Sequence, residues 1–201
     1  MAESIKIEIF RKKDAEDFTK ALADPDSRAQ TGSGAAITAA VSAALLERAA
    51  KLTRAVLPEN ERADWLVRNG EILRSYMVNL IDEDVKARGP YRRAMKEGDE
   101  HKIEAATQVA GAVCSEIVGM MAKGLEMLEE LAGLCPDEAK HLVAESADLA
   151  LASLRAAMRV CVYWGDLSSE DTRRYVIRRE NELQWEEVFP RYQRVIEQCG
   201  G

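Results

Sequence analysis

"TGSGAAITAAVSAALLERAAKLT", residues 31–53, decides the fold. Its apolar residues recur at helical spacing and it is dense in alanine, the strongest helix former and one whose short side chain lets a neighbour come close. A helix is expected from Ala35 to Val56, ended by Pro58. In front of it, Gly32, Ser33 and Gly34 read as a small-residue loop. A helix N-terminus carries unpaired N–H groups and the positive end of the dipole, and glycines let an anion approach them. The backbone N–H groups of Ser33, Gly34 and Ala35 are therefore candidates for binding a carboxylate or phosphate; the plain alternative is a flexible turn. No Lys follows Gly34, so this is not a phosphate-binding P-loop, and no strand precedes it, so it is not a dinucleotide fingerprint.

Helical periodicity continues outward from this stretch. A second helix is expected over Glu61–Arg88, stopped by Gly89 and Pro90, and a third over Glu100–Ala132, closed by "GLCP". A fourth starts near Pro136 and runs to Trp164. A last one follows "WGDLSSEDTRRY", with Ser168 or Ser169 as its cap and Tyr175, Leu183, Trp185, Val188 and Ile196 as its apolar residues. Upstream, "DAEDFTKALA" places Phe18 and Leu22 at helical spacing, Asp24–Gln30 reads as a loop, and "SIKIEIF" suits a short strand or an extended arm. No repeat or linker divides residues 1–201. The expectation is all-α: a single-domain antiparallel helical bundle of about five to six helices.

Composition narrows the function. The chain has 201 residues, 47% hydrophobic and 31% charged, an ordinary globular balance. The net charge of -7 disfavours nucleic acid as a partner, because phosphate neutralisation calls for a basic surface. "MAESIKIEIFRKKDAEDF" lacks the apolar core of a signal peptide, and the longest weakly polar run, Ala35–Leu46, is too short to span a bilayer, so no membrane partner and a cytoplasmic location are expected. Cys114, Cys135, Cys161 and Cys199 are scattered, and neither His101 nor His141 sits at a zinc-site spacing. Buried free thiols and no metal are expected.

One carboxylate stands out. Leu73, Met77, Leu80 and Ile81 trace an apolar face, and Asp84 lies seven residues beyond Met77 on the same face, while Asp82 and Glu83 point elsewhere. A carboxylate closing a core stripe is a candidate general acid/base; the alternative is a helix-end residue that reaches solvent or pairs with Arg88. Arg173, Arg174, Arg178 and Arg179 alternate with acids and read as a solvated face, as do Arg92 and Arg93. Trp164 with Asp166 suits a pocket wall, or simply core.

The order of these pieces resembles the cyclodeaminase/cyclohydrolase family of folate enzymes. "FTKALA" (18–23) resembles the segment before that family's loop. "TGSGAAITAAVSAALLERAAKLT" resembles its PTPGGGS loop and alanine-rich helix ending in Leu-Thr, and "LIDEDVKA" (80–87) resembles the segment holding its acidic residue, at the place of Asp84. "LASLRAAMRVCVYWGDL" (151–167) is similar, more loosely, to a late helix reading Gly-Ala-x-x-Asn-Val-x-x-Asn. Here the loop lacks its prolines, Arg159 or Val160 and Tyr163 or Trp164 stand in place of the asparagines, and His141 and Leu142 stand where relatives have Ser-Asp, with Asp148 a substitute only after a register change.

The resemblance implies a homodimeric helical enzyme whose substrate is a tetrahydrofolate derivative, most often methenyltetrahydrofolate (cyclohydrolase) or formiminotetrahydrofolate (cyclodeaminase), with no metal. It implies Asp84 as general acid/base, Gly32, Ser33, Gly34 and Ala35 as substrate-binding backbone, and Tyr163 and Trp164 as walls for a pterin. The alternatives are a binding or interaction protein that keeps the bundle without catalysis, and an enzyme acting on another cyclic amidine.

Overall fold

A computed structural model describes residues 8–200. They form six α-helices: α1 (Ala15–Ala23), α2 (Thr31–Val56), α3 (Glu61–Glu97), α4 (Glu100–Leu134), α5 (Lys140–Asp166) and α6 (Asp171–Gln198). Short 3-10 turns occupy Phe10–Lys12 and Asp137–Ala139, and no strand occurs among the described residues. The all-α expectation holds. Most of "SIKIEIF" lies outside the described residues; its last residue, Phe10, opens a 3-10 turn.

The alanines of α2 explain the packing. Ala36, Ala39, Ala43, Ala49 and Ala50 are fully buried, and α2 lies against both α3 and α5. Ser42 and Ser146 each donate a hydroxyl to the other's backbone carbonyl at 2.8 Å, and Ser153 donates to the Ala35 carbonyl at 2.8 Å. These bonds satisfy buried hydroxyls at a close helix crossing, where an unpaired one would cost about 1–3 kcal/mol. On the other side, a methyl at Gly70 would sit 3.0 Å from Leu46 and 3.1 Å from the Glu47 backbone, so glycine is what lets α3 approach α2. α4 packs on α3 and α5, and α6 lies across α4 and α5.

Three boundaries differ from the sequence reading. α2 begins at Thr31, so Gly32, Ser33 and Gly34 form its first turn and not a loop. α3 does not stop at Gly89-Pro90 but runs on to Glu97. Pro90 removes one N–H from the ladder, yet Ala94 beyond it is buried and Tyr91 sets its ring edge-on to Trp164 at 5.1 Å, so packing holds the extra turns. The helix ends instead at Gly98, in the left-handed conformation (φ 68°), whose N–H donates to the Ala94 carbonyl. α6 has Glu170 as its N-cap residue, without a side-chain cap.

Ser168 and Ser169 serve another helix. Glu104 of α4 accepts the Ser169 N–H at 2.8 Å and the Ser168 hydroxyl at 2.7 Å, and pairs with Arg173 at 3.1 Å. The Ser169 N–H, then the Ser168 hydroxyl, hold the Glu104 carboxyl down at about 2 against the opposing effect of burial. Its native value lies below its unfolded one, so the contribution to stability is complete above about pH 4.5 and fades as pH falls towards 2. Glu104→Gln is therefore expected to lower the melting temperature at pH 7, with the gap to wild type closing between pH 4.5 and 2. A gap that stays constant over that range would contradict this latch.

The expected apolar face of α6 is only partly inward. Val188 is buried, but Tyr175 is 68% and Leu183 49% exposed. The arginines of its first half, expected as a solvated face, pair with acids: Arg173 with Glu104, Arg174 with Asp171, Arg178 with Asp166 and Arg179 with Glu182. Ala35–Leu46 is not the most membrane-like stretch; among the described residues, α4 alone is long and apolar enough by length and composition to cross a membrane. In this fold it is built into the bundle, with Ile117, Met121, Leu125 and Leu128 fully buried.

Candidate functional site

The face that Leu73, Met77, Leu80 and Ile81 trace on α3 points into the core, and Asp84 continues it with a side chain that has no exposure. This carboxylate meets the first turn of α2. Asp84 Oδ2 accepts the Ser33 backbone N–H at 2.9 Å and the Ser33 hydroxyl at 2.8 Å. The N-cap residue Gln30 makes no side-chain cap, so a carboxylate from another helix takes that role, placed where the positive end of the dipole favours it. Gly32 makes this possible, because a methyl there would lie 2.1 Å from Asp84 Oδ1. Its backbone is ordinary, so the glycine serves closeness and not conformation.

Arg88, one turn beyond Asp84, completes the cluster. Its Nε and Nη2 donate to Asp84 Oδ1 at 3.2 and 3.1 Å, its Nη1 donates to Gln30 Oε1, and the Trp164 ring lies 5.4 Å away. The pairing with Arg88 is real, whereas the solvent-reaching alternative for Asp84 is not. Asp82 is buried too, on a different face, where it accepts the Phe10 N–H at 2.7 Å and pins the N-terminal turn.

Beside this cluster lies an open cleft of ≈ 760 Å³ between the α1–α2 connection and α5. One wall carries Gln30, Thr31, Gly34 and Ala35, and the other carries Ser153, Ala156, Arg159 and Val160. The volume suits a drug-sized ligand. The walls are mostly small side chains, which leaves room for a flat ring. Gln30 belongs to both the cleft and the buried cluster, and so joins them.

The sequence-derived candidates divide between these two places. Gly32 and Ser33 stand at Asp84; Gly34 and Ala35 line the cleft. The Ser33 N–H is already given to Asp84 and the Gly34 N–H to the Gln30 carbonyl at 3.0 Å, so neither is an open anion cradle. Trp164 is buried, edge-on to Tyr91 and to Tyr163, and Tyr163 is 56% exposed; neither is among the cleft-lining residues. Arg159 and Val160, one turn earlier on α5, are the ones that reach it. Sequence reasoning missed Gln30 as a wall residue, and no local pattern marked it. Asp148 faces outward and accepts the Tyr192 hydroxyl at 2.7 Å.

No group of three or more His, Cys, Asp or Glu side chains suited to a metal occurs among the described residues. The cysteines are free; Cys114, Cys135 and Cys161 are buried, and burial pushes the Cys114 and Cys161 thiols up, away from the reactive thiolate.

Comparison with known proteins places this helical bundle. Residues 14–165 match the family model described as formiminotransferase-cyclodeaminase, and the chain belongs to that family. Among solved structures, it is similar to formiminotetrahydrofolate cyclodeaminase from Thermotoga maritima, with a TM-score of 0.85 and 23% identity over 94% of this chain and 96% of the other. No curated protein matches the chain.

Proposed function

We infer that this protein is a folate one-carbon enzyme that closes or opens the ring at the carbon bridging two tetrahydrofolate nitrogens. The observation that carries the reading is the ≈ 760 Å³ cleft set against the Asp84–Ser33–Arg88 cluster in a chain of this family. In the cyclodeaminase direction, one folate nitrogen attacks the formimino carbon of formiminotetrahydrofolate, the C–N bond to the terminal nitrogen breaks, and ammonia leaves with the proton it needs. In the cyclohydrolase direction, water adds to the amidinium carbon of methenyltetrahydrofolate and the ring opens to formyltetrahydrofolate with loss of one proton. Both need a group that moves a proton and a pocket that fixes the ring.

Asp84 is the proposed general acid/base. Ser33 binds its Oδ2 and Arg88 its Oδ1, which fixes the carboxylate behind the cleft wall that carries Gln30. Gly34 and Ala35 form the floor for the ring, and Gly32 and Ser33 hold Asp84 in place. The same reading makes the protein a cytoplasmic homodimer that takes a small-molecule folate and needs no metal, nucleic acid or membrane. Val41, Leu52 and Val56, exposed along one face of α2, supply apolar area for a second copy.

Two assays on the purified protein test this. Ammonia release from formiminotetrahydrofolate supports cyclodeamination; loss of the near-ultraviolet absorbance of methenyltetrahydrofolate, faster than in buffer, supports ring hydrolysis. If neither occurs while 5-formyltetrahydrofolate binds, the non-catalytic binding alternative replaces the enzyme reading. Absence of both turnover and binding would rule out the folate reading.

A further inference from the structure

The geometry points to Gln30 as the residue that selects the ligand's ring, and to Arg159 as the residue that takes the ligand's anionic group; this rests on the folate reading. The polarity of Gln30 is fixed from behind. A guanidinium has only donors, so Gln30 must turn its Oε1 to Arg88 Nη1, and its NH₂ is left for the cleft. Arg88 is itself held by Asp84 at 3.1 Å and by the Trp164 ring, so the amide cannot flip without leaving a buried cation short of an acceptor. Among the described residues, no acceptor meets the Gln30 NH₂. The wall therefore presents a donor and reads an acceptor, such as a carbonyl oxygen or an unprotonated ring nitrogen. The small neighbours Ala29, Gly34 and Ala35 let a flat ring reach it.

Arg159 faces the same cleft from α5, where it also borders the groove towards Trp185. It has no carboxylate partner among the described residues, unlike Arg173, Arg174, Arg178 and Arg179. It is the cleft's one cationic side chain among those residues. Asp24 is the one acid there, and its Oδ1 is taken by the Asp26 N–H at 2.9 Å. Two of the cleft hydroxyls are spent, since Thr38 donates to the Gly34 carbonyl at 2.9 Å and Ser153 to the Ala35 carbonyl; the third, Thr31, stands next to Gln30 on the same wall. The cleft thus sets a neutral donor for the ring and a charged one for the tail on opposite walls, with the Thr31 hydroxyl beside the neutral one.

Two probes separate the two roles: 5-formyltetrahydrofolate, which carries a ring and carboxylates, and 6-methyltetrahydropterin, an uncharged ring without a tail. Binding is followed by calorimetry. Gln30→Glu keeps an acceptor for Arg88 and offers no donor to the cleft, so it is expected to keep the melting temperature and weaken both probes at least tenfold. Repulsion of an anion cannot explain the loss for the neutral ring. Arg159→Gln is expected to weaken 5-formyltetrahydrofolate about tenfold and leave the tail-free pterin within twofold. Unchanged pterin binding by Gln30→Glu, no pterin binding by the wild type, or equal effects of Arg159→Gln on both probes would overturn the inference while leaving the folate reading intact. If the wild type binds neither probe, both fall.

Discussion

Asp84→Ala is expected to cost about 3–5 kcal/mol of folding stability, the usual penalty for removing one partner of a buried ion pair. The substitution leaves Arg88, only 6% exposed, with Gln30 as its remaining acceptor, and it strips the Ser33 N–H and hydroxyl of the carboxylate that receives them. Domains carry roughly 5–15 kcal/mol in total, so about a fifth of the stability or more rests on one side chain. Asp84→Asn keeps the shape and one accepting oxygen, and should cost about half as much. Urea denaturation of the three proteins gives the comparison, and turnover gives a second one. If Asp84 moves the proton, Asp84→Asn loses nearly all turnover while it remains folded. Retention of wild-type turnover by a folded Asp84→Asn would remove Asp84 from catalysis and leave it the helix-capping role. Wild-type stability of Asp84→Ala would instead remove the capping account.

Gly32→Ala is expected to be nearly as damaging, although it adds one methyl in a helix. The new carbon would sit 2.1 Å from Asp84 Oδ1, 2.5 Å from its Cγ and 3.0 Å from Oδ2, far inside contact distance. Either the carboxylate swings out and abandons Ser33, or α2 and α3 part. The expected cost is roughly 3 kcal/mol, the upper part of the usual range for overpacking, with turnover falling because Asp84 is displaced. Gly34→Ala is the internal control. Its methyl would lie 3.9 Å from Leu22 Cδ1, an ordinary contact, and alanine is the better helix former, by up to ~1 kcal/mol. Thermal melts of the two variants should therefore move in opposite directions. Equal shifts would mean that the crowding at Asp84 is relieved by motion the packing does not suggest.

The contrast between these two glycines shows how far the sequence could be read. "TGSGAAITAA" signals small residues before an alanine-rich helix, and both the approach of something acidic and a plain turn were compatible with it. The acid that approaches is the chain's own Asp84, 51 positions beyond Ser33. The face that carries Asp84 was legible because helical periodicity is local. Its partners were not, because a hydrogen bond across that separation leaves no mark in the spacing of either segment. Gly89-Pro90 failed as a stop signal for the same reason, since the packing of Tyr91 and Ala94 in the bundle outweighs a local breaker.

By itself, then, the sequence determined that the chain is helical and which face of α3 ends in Asp84, because these rest on residue spacing along the chain, and its motifs carried the resemblance to folate cyclodeaminases. Only the tertiary structure decided that Gly32–Gly34 is the first turn of α2, that Asp84 caps it and that Arg88 carries the contact on to Gln30, 58 residues away. It also decided that Arg159 and not Trp164 faces the cleft. These choices depend on how closely α2, α3 and α5 pack and how each is turned about its axis. That closeness is set by glycines, alanines and buried hydroxyls acting between helices.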